Sequence, residues 1–472
     1  MAGIKAKILK TIPLLPNSVN RRLMAINRDP VRIYGGRYSE YRNYLRSSAE
    51  RYDPVPKLLE AVNDAIVRVP YYRSLYGDHK ITSRAEFEGR TGFIDKDTIL
   101  ANYVDFMAEG IDLSTYDQGT TGGTSGKPLQ LIAPRDRYVV EMATMHSLWE
   151  RTGYRFDVRA VIRNQRLEEG QTYRINPITR EVIFDGFRLN SDYFARIYEI
   201  ITKHAIRFIH CYPSTAYEFC TFLLNNGLDT SGITAFFSGS ENIFDYQREL
   251  IQERLGIRFY NWYGHSEKLV LAGYCSGSDL YHVEPTYGYL ELVDENNRVI
   301  REPGGIGEIV GTSFHNPGMP FVRYRTGDFA EYAGDYCPAC NRHLPLLRSI
   351  RGRWSGDRVY NADGSFVTTT ALNLHNDLYQ VINGMQYVQE LKGELTVLIV
   401  KSPAYTEKHE QELMLHFKGK LAHGTNIEIR YVERILRKPN GKFVHIISNV
   451  DNLNLTGRTG TNSNVHLIDR LP

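Results

Sequence analysis

The chain of 472 residues has few cysteines (5), few tryptophans (3) and almost no net charge. Cys211, Cys220, Cys275, Cys337 and Cys340 are too few and too scattered for a disulfide framework, so a reducing, cytoplasmic setting is expected. Lys+Arg number 57 against 54 Asp+Glu, a formal balance of +3. Bulk electrostatics therefore gives no reason to expect a nucleic-acid partner, and any anion specificity has to be local. No run of about 18 apolar residues occurs, which argues against a transmembrane segment. The opening MAGIKAKILKTIPLLP carries charges inside its apolar stretch and lacks a small-residue cleavage pattern, so at most a peripheral contact through Ile8 to Leu15 is read there. There is no internal repeat, heptad or low-complexity block.

What is present is an ordinary globular composition, 42% hydrophobic and 24% charged, at a length that implies two or three domains. The 32 tyrosines are the one excess and suit half-buried positions. Up to about residue 112 the pattern is helical, with Leu58, Leu59, Val62, Ile66 and Val67 at helical spacing before Pro70. Between 180 and 270 strand-like and helix-like runs alternate, the pattern of a mostly parallel sheet covered by helices. Ligands of such sheets collect at the strands' carboxyl ends. Ser238-Gly-Ser-Glu241 and Tyr263-Gly-His-Ser-Glu267 fall at such ends. From 287 to 330 short runs broken by Gly and Pro indicate an antiparallel, barrel-like segment. After about 357 the order strand, strand, helix, strand describes a compact α+β module, and the Asn/Thr/Gly-rich end reads as a tail.

The segment Gly119 to Pro128 combines glycines, hydroxyls and Lys127, and its exposed N–H groups could form an anion nest. It is not a Walker loop. Thr121 stands where the first glycine is required, and Pro128 where Ser or Thr should follow the lysine. The strand that precedes a dinucleotide fingerprint is also missing.

Five segments taken together carry a family resemblance: TTGGTSGKP (120–128), YGHSE (263–267), YRTGD (324–328), Gly352-Arg353 leading to Asp357, and PNGK (439–442). The chain resembles the adenylate-forming superfamily of acyl-CoA synthetases, most closely its phenylacetate-CoA ligase and CapK-like branch associated with capsular polysaccharide loci. The resemblance implies an α/β fold: a large multi-sheet adenylate-forming domain over 1–352, a small mobile α+β lid over 353–450, and a flexible tail over 451–472. It also implies ATP- and Mg²⁺-dependent adenylation of a carboxylic acid to acyl-AMP with release of pyrophosphate, then acyl transfer to CoA or another acceptor.

By resemblance, Thr120, Thr121, Gly122, Gly123, Thr124, Ser125, Gly126 and Lys127 grip the β- and γ-phosphates. Tyr263 and Gly264, with Ser240 and Glu241, form the adenine side, Asp328 accepts the ribose hydroxyls, and Arg353 reaches ribose or phosphate. An ionised acceptor and a cationic fork suit those two tasks. Glu267 is the Mg²⁺ ligand, a hard carboxylate beside phosphate oxygens. Lys442 contacts the substrate carboxylate and α-phosphate, where an ammonium offsets charge developing in the transition state. Asp357 is the hinge. Two departures stand out. Three residues rather than two separate Arg353 from Asp357, and YNADG replaces the Arg-Gly segment that often receives pantetheine, which leaves the acceptor open.

Cys275, His282, Cys337 and Cys340 make a three-cysteine, one-histidine set for a structural Zn²⁺, with His343 an alternative fourth ligand. His210 and Tyr212-Pro213-Ser214 are candidates for the acyl pocket. Two other readings compete: AMP transfer without acyl transfer, and a zinc-stabilised, non-catalytic binding protein. The second lacks a basic stripe with interleaved aromatics around the cysteines.

Overall fold

The computed structural model describes residues 11–48, 52–120, 129–352, 358–368, 372, 374, 378, 381–436, 446–448 and 450. The N-terminal part is helical over 17–26, 36–47, 55–68, 70–76, 84–90 and 96–101. In helix Val55–Arg68 the residues Leu58, Val62, Ala65 and Ile66 face the core, whereas Val67, counted in the same stripe from spacing alone, points outward. Pro70 does not merely stop this helix. It occupies the first turn of the next, where its missing N–H has no intrahelical partner to lose.

The strands are β1 (Tyr116–Thr120), β2 (Gln130–Pro134), β3 (Arg159–Arg163), β4 (Arg174–Asn176), β5 (Glu181–Asp185), β6 (Phe208–Cys211), β7 (Ala235–Ser238), β8 (Arg258–Gly264), β9 (Leu271–Gly273), β10 (Tyr281–Val283), β11 (Gly288–Val293), β12 (Ile306–Ser313), β13 (Tyr324–Cys337) and β14 (Arg342–Arg351). β1 and β2 pair as an antiparallel hairpin flanking the glycine segment. Among the described residues the other twelve form one sheet, ordered β11-β12-β13-β14-β10-β9-β8-β7-β6-β3-β5-β4. Its centre is parallel, β5-β3-β6-β7-β8, in line with the alternation of apolar runs and helices. The antiparallel segment expected over 287–330 is hydrogen-bonded into the same sheet.

The C-terminal part holds the ribbon β15 (Arg358–Tyr360) and β16 (Phe366–Thr368), then a sheet of β17 (Ile382–Gln389), β18 (Glu394–Lys401), β19 (Asn426–Tyr431) and β20 (Ile446–Ser448), ordered β19-β18-β17-β20. Helix Glu407–Lys420 buries Leu413 and Phe417 against it. Among the described residues several contacts dock this smaller unit, donation from the Phe366 N–H to the Leu189 carbonyl among them. Phe187 and Tyr212 enter its core, Arg358 pairs with Glu218 at 2.5 Å, and Arg166 donates to the carbonyls of Gly419 and Leu421 at the end of the helix. A cation there offsets the helix dipole and occupies carbonyls with no helical partner.

Candidate functional site

β6 and β7 end side by side, with Cys211 beside Ser238, and Ser238 lies beside Asn261 of the parallel β8, which runs on to Gly264. The loops leaving these strand ends therefore border a common crevice. After β7 the chain passes through Gly239, where a Cβ would lie 2.8 Å from the Trp262 ring and 2.9 Å from its carbonyl oxygen, so only glycine fits. Ser240 then adopts a left-handed φ of 71°. The Glu241 carboxylate accepts the Ser214 backbone N–H at 3.1 Å, capping helix Pro213–Asn225 after β6. Asn242 makes a reciprocal pair with Gly352, accepting its N–H at 2.8 Å and donating to its carbonyl at 3.2 Å.

The two most specific sequence segments meet through their side chains. The Tyr263 hydroxyl donates to Asp328 Oδ2 at 2.9 Å, and burial beside that carboxylate pushes the phenol well above its ordinary pKa, so it stays a donor. Asp328 is itself buried and follows Gly327, whose φ of 74° makes the turn. The Tyr324 hydroxyl donates to Glu267 Oε1 at 3.1 Å. His265 Nε2 accepts the Val270 N–H at 3.3 Å, which fixes the tautomer, so Nδ1–H donates to Glu267 Oε2 at 3.1 Å. Glu267 is thus a carboxylate clasped by two neutral donors, one on each oxygen. An oriented carboxylate of this kind suits a hard divalent cation.

Arg163, at the end of β3, donates to His210 Nε2 at 2.7 Å and to Ser240 Oγ at 3.1 Å, and lies over the Tyr212 ring at 4.5 Å. Burial, with Arg163 and Arg159 alongside, holds His210 well below the ordinary imidazole range, so it is a neutral acceptor. Sequence reading named His210 and Tyr212 but gave no role to Arg163, His265, Tyr324 or Asn242. His265 and Tyr324 lie inside YGHSE and YRTGD. Arg163 ends an apolar run like the other strand ends, which was the available signal. Thr120 closes β1, and Ser240, Glu241, Tyr263, Gly264, Asp328 and Glu267 lie at or near the strand-end crevice. The remainder of the glycine segment (Thr121, Gly122, Gly123, Thr124, Ser125, Gly126, Lys127), Arg353, Asp357 and Lys442 fall outside the described residues.

A second cluster lies where β9, β10, β13 and β14 converge. One ligand atom each from Cys275, His282, Cys337 and Cys340 lie within 4.8 Å of one another. His282 Nδ1 donates to the Leu280 carbonyl at 2.8 Å, leaving Nε2 toward Cys340 Sγ at 3.3 Å. Three thiols and one imidazole oriented by a backbone carbonyl are the donor types of a structural zinc site. His343 is not part of it and packs on Tyr336 instead.

Residues 359–449 match the family model of the CapK C-terminal domain. Across 91% of both chains this protein is 20% identical to Protein CapK of Staphylococcus aureus, and over 118 residues, 24% of this chain and 26% of the relative, it is 30% identical to phenylacetate-coenzyme A ligase of Pseudomonas putida. Among solved structures, 2-hydroxyisobutyryl-CoA ligase with 2-HIB-AMP and CoA in its thioesterification state superposes with a TM-score of 0.54 at 18% identity, covering 83% of this chain and 88% of that one. The same ligase in its postadenylation state gives 0.51 at 16% identity, covering 84% and 88%. No described helix is long and apolar enough to cross a membrane. Residues 359–449 thus match the CapK C-terminal domain family, and the chain as a whole is CapK-like, with the fold of the adenylate-forming ligases.

Proposed function

We propose that this protein is an adenylate-forming ligase that activates a carboxylic acid with ATP. The supporting observation is the pairing of Tyr263 with Asp328 and of Tyr324 and His265 with Glu267, which brings the YGHSE and YRTGD segments to one crevice. The substrate carboxylate oxygen attacks the α-phosphorus, the bond to the bridging oxygen of pyrophosphate breaks, and acyl-AMP remains for transfer to CoA or another acceptor. In this reading Asp328 accepts ribose hydroxyls while Tyr263 orients it, and Ser240, Glu241 and Gly264 flank the adenine. Glu267 holds Mg²⁺, which when bound neutralises phosphate charge. Thr120 and the glycine segment through Lys127 cradle the β- and γ-phosphates, Arg353 reaches ribose or phosphate, and Lys442 stabilises charge at the α-phosphate. Residues 353–450 serve as the lid, with Asp357 as its hinge, and closure brings Lys442 to the site. The Cys275, His282, Cys337 and Cys340 cluster holds a structural Zn²⁺.

The test is carboxylate-dependent exchange of labelled pyrophosphate into ATP over aryl, fatty, hydroxy and amino acids, with Lys442→Ala alongside. Exchange with one class of acid, reduced on the order of 10²-fold in the variant, supports the proposal. Bound ATP without exchange for any acid would instead favour AMP transfer or a non-catalytic role.

A further inference from the structure

The near-neutral balance of the whole chain hides a strong local bias. Residues 1–46 hold three lysines and seven arginines against Asp29 and Glu40, a net +8 in a chain whose total is +3. Arg37 and Arg42 are engaged with Asp136 and Glu150. Arg21, Arg22, Arg28 and Arg32 are exposed, and none forms an ion pair among the described residues.

Helix Asn17–Ile26 is fixed in rotation by its asparagines. Asn17 and Asn20 donate to the carbonyls of Tyr173 and Ile175 at 2.9 and 3.1 Å, and Asn27, just past its end, donates to that of Pro177 at 3.0 Å. Arg180 donates to the carbonyl of Met24 at 2.5 Å, and Met24 is buried on the same side. With that face committed to the edge of the sheet, Val19, Leu23 and Ile26 run along an outer stripe of the helix at intervals of four and three residues. All three are exposed, Ile26 to 70%, as are Leu14 and Leu15 just before the helix, Leu14 to 74%. Single exposed apolar residues are normal, but an apolar helical stripe bordered by arginines without counter-charges is the signature of an interfacial helix.

We infer that this helix docks on an anionic membrane surface, its apolar stripe entering the headgroup boundary and Arg22, Arg28 and Arg32 lying at the level of the lipid phosphates, while Arg21 donates to the Tyr173 hydroxyl on the sheet side. The charge complementarity selects the occupant, because Arg22, Arg28 and Arg32 against the single Asp29, with three further lysines in the first ten residues of the sequence, favour an anionic lipid surface over a second, equally basic copy of itself. A single such helix gives reversible, salt-sensitive attachment, and the inference holds whichever reaction the crevice performs.

The experiment is cosedimentation of the full chain with vesicles of phosphatidylcholine alone, and with about one third replaced by phosphatidylglycerol. Binding to the anionic vesicles only, lost at high salt, is expected. Arg22→Gln and Arg32→Gln should each weaken partitioning about five-fold. Leu23→Asp with Ile26→Asp should abolish it while leaving the far-ultraviolet spectrum and Tm unchanged, since these side chains are exposed. Failure to bind either vesicle, or equal binding to both, overturns the inference. So does a dimer that Ile26→Asp dissociates in the absence of vesicle binding, which would assign the stripe to a second copy.

Discussion

At the scale of single residues, the candidate site was legible as a set of segments but not as a set of pairs. Tyr263 and Asp328 stand 65 residues apart, and Glu267 and Tyr324 stand 57 apart. Their partnership depends on β8 and β13 sharing one sheet, which spacing along the chain does not encode. The pairing makes Tyr263 an orienting group for Asp328, and under the proposed function its ring also lies beside the nucleotide. Tyr263→Phe keeps the ring and removes one hydrogen bond to a charged group, so the KM for ATP should rise roughly ten-fold with kcat little changed. A fall in kcat at unchanged KM would refute that role. The buried imidazoles give a pH dependence. Burial and nearby arginines hold His146 well below the ordinary range, and burial with Arg137 alongside brings His315 down to about 3. Both stay neutral in the fold, whereas the unfolded chain takes up protons near pH 6.5. Stability is therefore fully present above about 6.5 and falls as pH drops toward 3, by at most about 1.4 kcal/mol per pH unit for each histidine. Urea unfolding between pH 7.5 and 5 checks the direction, and His315→Gln, which can still donate to the Thr286 carbonyl, should flatten the slope.

At the scale of elements, the helical start, the parallel run and the C-terminal strand order were readable because each carries a distinct hydrophobic period. Three short pieces, β15, β16 and β20, were not, since three residues are too few to show any period. Neither was the fastening of the helical start to the sheet, to which one buried arginine contributes. Arg323, with a left-handed φ of 52°, pairs with Glu291 at 3.0 Å and donates to the carbonyls of Glu88 and Thr91. Both side chains of the pair are almost fully buried. Glu291→Leu strands the guanidinium without its counter-charge and should cost about 3–5 kcal/mol, measured by denaturant unfolding. A loss below about 1 kcal/mol would mean that the carbonyls of Glu88 and Thr91 suffice to hold it.

At the scale of the whole molecule, the cysteine cluster was legible in part: the Cys-x-x-Cys spacing and the family resemblance picked out Cys275, Cys337 and Cys340, but left His282 and His343 as alternatives for the fourth position. Its location was not legible. It sits where β14 joins β10, a seam within the antiparallel part of the sheet, two strands beyond β8, the last strand of the parallel centre. Purified protein should carry about one zinc per chain, and chelation or Cys337→Ser should lower both the metal content and Tm. Metal-free protein of unchanged Tm would show that the thiols pack as ordinary core.

That seam also bears on the order in which the chain is made. Cys275 and His282 emerge from synthesis well before Cys337 and Cys340, and β10 gains its second neighbour only when β14, residues 342–351, has followed. Until then the growing polypeptide presents β10 as an open edge, able to recruit a strand from another nascent chain. Completing the cluster coincides with closing that edge, so with the structural zinc proposed above, scarcity of metal during translation would register as aggregation of newly made protein before any loss of activity in molecules already folded.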